Sequence, residues 1–225
     1  MYRKKFALLA LLLLLLTAIG VSGYAYQSER TPEYALEQAA AGLQQKDSSK
    51  VSRYVDVDGL VTAAYDESTE MLAENIGKLS QMYPKDWFFR HDTAFMKDYI
   101  ANRRSDDLVF IHRVLELHLD PAIQPISRSD GQAKWLSDEA DKFEQNYSAE
   151  LKSVQKSGGS AQAKVEIRGK DTAYGRLVPK AMLELSLEEQ PDGHWMITRV
   201  SNVGELFYPV IQGIEDYWTL QGWQE

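Results

Sequence analysis

Four histidines and 33 acidic residues, with no cysteine at all, are the groups through which this chain could move protons or hold a metal. His91-Asp92 sets an imidazole beside a carboxylate, the pairing by which a general base is oriented. His112, Glu116 and His118 offer a second set. On a helix His112 and Glu116 stand one turn apart while His118 lies far around the axis, whereas on a strand all three would share a face. Neither set is a motif, and the histidines are read as surface or half-buried side chains. Asp56-Val57-Asp58-Gly59 opens like a calcium loop, with Glu67 at the twelfth position. Leu60 and Val61 then occupy the positions that need an oxygen ligand and a glycine, so a helix cap is the better reading and calcium is rejected. No catalytic, ligand-binding or metal-ligating residue is assigned, and no cofactor is expected.

The lack of cysteine excludes disulfides, thiolate zinc sites and cysteine nucleophiles, so stability must come from packing. Trp87, Phe88, Phe89, Trp135, Trp195, Trp218 and Trp223 could line a ligand cavity or fill a core, and the core is preferred. Asn146-Tyr147-Ser148 has the form of a glycosylation acceptor, which matters only in a eukaryotic host. The bacterial look of the N-terminus argues against that.

The N-terminus supplies the address. Arg3, Lys4 and Lys5 precede an uncharged run over residues 6–26, centred on the six leucines at 11–16. Successive leucines have no amphipathic period and suit a medium that is apolar on every side, with the cations left in the cytoplasm. Residues 1–26 are therefore an export segment, either a signal peptide cut near Val21-Ser22-Gly23 or Gly23-Tyr24-Ala25, or a retained transmembrane anchor. Lipoprotein attachment is excluded without a cysteine. The leader holds three of the 25 Lys+Arg and none of the 33 Asp+Glu, so the exported part carries 22 basic against 33 acidic residues, a formal −11. Such a surface repels nucleic acid and favours solubility or cationic partners.

The elements that must position these residues follow from the hydrophobic period. Thr31-Pro32-Glu33 predicts a helix start, followed by a stripe of small residues, Ala35, Leu36, Ala39, Ala40 and Leu43. Ser48-Ser49 can cap a second helix, and Asp58-Gly59 can restart the chain into residues 60–65. An amphipathic helix is expected over 68–82, ended by Pro84, and Trp87, Phe88, Phe95, Met96, Tyr99 and Ile100 can share a further helical face. Residues 108–119 fit either period, with helix preferred, and the next helix is predicted to carry Trp135, Leu136, Ala140, Phe143, Tyr147 and Leu151. Ser157-Gly158-Gly159-Ser160 reads as a flexible joint, beyond which the period drops to two. Strands are expected within 161–201, with a hairpin at Pro191-Asp192-Gly193, and a C-terminal helix over 205–220. Residues 27–225 thus predict a single extracytoplasmic α+β domain, helical over 31–156 and then a C-terminal antiparallel sheet.

Two stretches carry resemblances. Thr31-Pro32-Glu33-Tyr34-Ala35-Leu36, Gln44-Gln45-Lys46-Asp47 and Tyr54-Val55-Asp56 resemble the start of a bacterial family of exported or membrane-anchored proteins of unknown function. Gly193-His194-Trp195-Met196-Ile197-Thr198-Arg199-Val200 is similar to the final strand of cystatin-like and nuclear-transport-factor-like α+β folds. Together they imply helices packed on one face of a curved antiparallel sheet, although the helical residues 58–157 exceed what a compact member needs. The function expected is non-enzymatic binding of a protein partner or small apolar ligand in the bacterial cell envelope, with the membrane a partner if the leader is uncleaved. The competing expectation is a small envelope enzyme, of isomerase or hydrolase type, using an acid or histidine in an apolar cavity. A third is that residues 58–157 form an assembly surface.

Overall fold

The computed structural model describes residues 30–222. Residues 1–26, expected as an export segment, and Trp223 lie outside the described residues. Within them the chain is α+β, with seven α-helices and one four-stranded antiparallel sheet in the order β1-β2-β3-β4.

The first helix, α1 (Pro32–Gln45), begins as its residues dictate: Thr31 Oγ1 accepts from the Tyr34 N–H and Pro32 occupies the first turn. It ends at Lys46, whose φ of 55° is the one left-handed value at a non-glycine among the described residues. Ala35, Leu36, Ala39 and Ala40 are buried, so the small-residue stripe faces the core. Gly42 lets α2 (Ser48–Tyr54) approach, since a Cβ there would meet Val51 Cγ2 at 3.0 Å. The cap of α2 is Asp47, which accepts from the Lys50 N–H, and not the expected Ser48-Ser49. Asp caps as well as Ser and adds negative charge at the positive helix end. In α3 (Val57–Glu74) the cap is Asp56, accepting from the Gly59 N–H at 3.0 Å.

The sequence reading divides residues 60–82 at Ser68, whereas the helix runs unbroken to Glu74 and breaks at Asn75. Asn75 Nδ2 donates to the Met71 carbonyl and its Oδ1 accepts from Tyr208, offering the backbone an alternative to the helical ladder. The short α4 (Ile76–Met82) follows, then a 3-10 turn (Trp87–Arg90). Residues 108–119 are helical, the end of the 27-residue α5 (Thr93–Leu119).

α6 (Arg128–Asn146) opens on a full capping box between Ser127 and Asp130. Here one expectation fails: the helix stops at Asn146, and Tyr147 and Leu151 belong to β1 (Tyr147–Ser157). Phe143, Tyr147 and Leu151 are spaced by four, an even number that keeps residues on one face of a strand as well as near one face of a helix. Gly158 and Gly159 then form no joint. They are a two-residue reversal, with Gly158 at φ 60° and Ser157 paired to Ser160, into β2 (Ser160–Gly169).

β2 pairs with β3 (Lys180–Glu189), and β3 with β4 (Trp195–Val200) through the expected Pro191-Asp192-Gly193 turn, where Gly193 takes φ 87°. The outer edge of β4 is met by Val55 in a parallel bridge to Ile197. Ala163, Val165, Ile167, Leu183, Leu185, Leu187, Trp195 and Ile197 point inward to the helices and are fully buried. On the opposite face Glu166 is ringed by Lys152, Arg168 and Lys180, and those cations hold its carboxyl down at about 2. The last helix, α7 (Val203–Leu220), docks Leu206, Phe207, Val210, Ile211, Ile214, Tyr217 and Trp218 on the core. Among the described residues no helix is long and apolar enough to cross a membrane.

Candidate functional site

The histidines separate in the fold. His91 stacks on Phe95 with ring centroids 4.0 Å apart, and Asp92 is spent as the cap of α5, accepting from the Phe95 N–H at 2.8 Å. A carboxylate committed to a helix end does not orient its neighbour's imidazole. His112 lies near the surface with Nδ1 3.5 Å from Asp58, and Glu116 pairs with Arg113 at 2.9 Å. His118 turns away from both, as helical geometry requires. The fourth, His194, pairs with Asp192 in the β3–β4 turn.

His118 sits in the last turn of α5 and is only 2 % exposed. Neither ring nitrogen makes a hydrogen bond. The Ser137 backbone favours the protonated ring without meeting hydrogen-bond geometry, and Nδ1 is 3.6 Å from Asp141 Oδ1. Burial pushes the ring's pKa down, the Lys46 ammonium pushes it further down, and Asp141 opposes both. The negative end of the α5 dipole would favour a cation here, yet burial wins. A buried imidazole with no partner costs about 1–3 kcal/mol.

Around it stand three groups from two other segments. Asp141 and Glu144 lie one turn apart on α6, and Lys46 projects from the left-handed end of α1. Lys46 Nζ donates to both oxygens of Asp141, at 2.8 and 3.0 Å. Glu144 has no hydrogen-bond partner among the described residues, and burial followed by the Asp141 charge raises its pKa. His118, Asp141 and Glu144 present one ligand atom each, all within 4.8 Å of one another. This is the set among the described residues able to converge on a metal. Asp141, Glu144 and Lys46 were invisible as a group in the sequence: the i, i+3 spacing of the two acids is ordinary for a helix, and nothing local ties it to residue 118 or 46.

The aromatic residues also divide. Phe88, Phe89, Trp195 and Trp218 are buried in the core as expected. Trp87 and Trp135 are not, at 39 % and 38 % exposed. Trp87 meets His91 edge-on at 6.0 Å, His91 stacks on Phe95, and Phe95, 44 % exposed, stacks on Tyr99 at 6.0 Å. The result is a ridge of rings along the start of α5, with exposed Met82 on the helix before it. No protein-family model, no curated protein and no solved structure matches this chain.

Proposed function

We propose that the chain is a non-enzymatic domain of the bacterial cell envelope, exported by its leader and either tethered by it or released, that works by binding a protein partner. The ridge Trp87, His91, Phe95 and Tyr99 carries this reading. Large rings held partly in water are more than a core needs, and exposed aromatic anchors are the groups that dominate protein interfaces. The partner we infer presents apolar side chains flanked by lysine or arginine. Ring faces attract such cations, and the exported part carries a formal −11. We also infer that the sheet and its helices are a helix-extended variant of the nuclear-transport-factor-like arrangement, supported by the four-stranded meander with helices on one face.

The test places a photo-cross-linking residue at position 95 of the full chain in cells and, separately, at position 164 on the outer sheet face. A discrete protein adduct is expected from position 95 and not from 164. The purified partner should then bind roughly 10-fold or more weakly to Trp87→Ala, and more weakly as salt rises. Equal labelling from both positions, or a partner whose affinity ignores Trp87, would remove the support for this reading.

A further inference from the structure

We propose that His118, Asp141 and Glu144 form a binding site for one zinc-type divalent transition-metal ion, with Lys46 as a displaceable latch. The donor set is one imidazole nitrogen and two carboxylate oxygens within 4.8 Å of one another. Three protein ligands leave room for water at the remaining positions of a tetrahedral or five-coordinate ion. Mixed nitrogen and oxygen donors select a borderline ion such as zinc over magnesium or calcium, which take oxygen alone, and over copper(I), which takes sulfur.

Acidic pairs on helices are common and would carry nothing alone. The independent observation is His118, 2 % exposed with both ring nitrogens unpartnered and Nδ1 turned toward Asp141 at 3.6 Å. The Lys46 ammonium donates to both oxygens of Asp141 and to neither nitrogen of the imidazole. A divalent metal ion is a ligand that a neutral imidazole and two carboxylates satisfy together, each giving it one donor atom. Access is provided on the rim, where the Lys46 and Asp141 side chains are 27 % and 32 % exposed. Lys46 is held by its two bonds to Asp141 on a four-carbon stem, so an entering cation can displace it by rotation of that stem without moving a helix.

The experiment titrates the full-length chain, purified in detergent micelles and stripped with chelator, with Zn2+ by calorimetry and with Co2+ by visible absorption. Saturation at one ion per chain is expected, with Co2+ bands of the intensity given by four or five ligands and absent from an octahedral aquo ion. Glu144→Gln and Asp141→Asn should each weaken binding by ~10-fold or more. Lys46→Met should tighten it, because the competing ammonium is gone, a response that a purely structural ion pair would not give. His118→Gln should abolish the Co2+ bands. If that buried substitution unfolds the chain, Glu144→Gln and Lys46→Met sit on the rim and still decide the matter. Absence of saturable binding, or binding that Glu144→Gln leaves unchanged, overturns the site.

Discussion

α6 takes part in two buried polar nodes, Glu139 on the helix itself and His118 of α5 packed beside it, and they are built on opposite plans. Glu139, 5 % exposed, accepts from Tyr174 Oη at 3.1 Å and Tyr217 Oη at 3.0 Å and pairs with Lys142, so its carboxylate joins α6, the 170–179 loop and α7. His118 of α5, with Nδ1 3.6 Å from Asp141 of α6, has no hydrogen bond at either nitrogen. The first node has the form of structure: each partner is satisfied, and each gives up its water for a directed bond. The second keeps its bonding capacity unused. A buried group left unpaired detracts from stability, so its place in the fold calls for another reason.

The comparison breaks most visibly at Glu139. Replacing it with alanine takes the acceptor from the buried Tyr217 hydroxyl and the half-buried Tyr174 hydroxyl, and should cost about 3 kcal/mol in denaturant unfolding. Burial and the adjacent Glu139 charge raise the pKa of both Tyr174 and Tyr217, so these phenols stay protonated donors through the ordinary pH range. Tyr217→Phe removes one of the two bonds and should lose about half as much. Were Glu139→Ala to leave the midpoint unchanged, the claim that satisfaction marks a structural node would fail.

His118 sharpens the contrast with a smaller effect of opposite sign. In metal-free buffer His118→Leu should stabilise the fold by about 1 kcal/mol, because it removes an unpaired polar group and keeps the volume. The same substitution should also change the acid limb. The unfolded ring protonates near 6.5, and the buried ring, beside Lys46 and Lys134 and opposed by Asp141, protonates lower. Stability is therefore full above 6.5 and falls as the pH drops below it, since the unfolded state binds the proton first. Unfolding curves of the wild type and His118→Leu should diverge in that window; parallel curves would show that the ring titrates freely.

How much of this was legible beforehand depends on the range of the interaction. Thr31, Pro191-Asp192-Gly193 and the alternation of Leu183, Leu185 and Leu187 act within a few residues, and the helix start, hairpin and strand followed from them. The capping role of Asp56 was equally local. β1 was missed because a spacing of four is shared by both periods and because two glycines look alike in a linker and in a tight turn. The His118 site was missed for a different reason. Its ligands come from α5 and α6 and its latch from α1, 95 residues from Asp141, and no periodicity encodes an encounter of that separation. The aromatic ridge was half legible: the shared helical face of Phe95 and Tyr99 was expected, but its exposure was not, since composition does not say which face finds a partner.

The smallest effect lies at the start of the same helix. Asp130 closes the capping box of α6, accepting from the Arg113 guanidinium at 2.7 Å and from the Ile126 and Ser127 amides at 3.1 Å each. Arg113 leads these bonds in holding its carboxyl at about 2, below the usual 3.8. The stabilisation is thus present above 3.8 and is lost as the pH falls through about 2, where the folded carboxyl takes up its proton. Asp130→Asn keeps an acceptor for one amide but drops the charge, so it should lower the unfolding midpoint modestly at pH 7 and flatten its fall across this acid window. Glu166, held at about 2 by Lys180, Arg168 and Lys152, titrates in the same range, so some acid dependence must survive in Asp130→Asn and shrink further when Glu166→Gln is added. An acid limb unchanged by either substitution would mean that satisfied carboxylates contribute no charge-dependent stability here, and the distinction between the paired Glu139 and the unpaired His118 would lose its energetic basis.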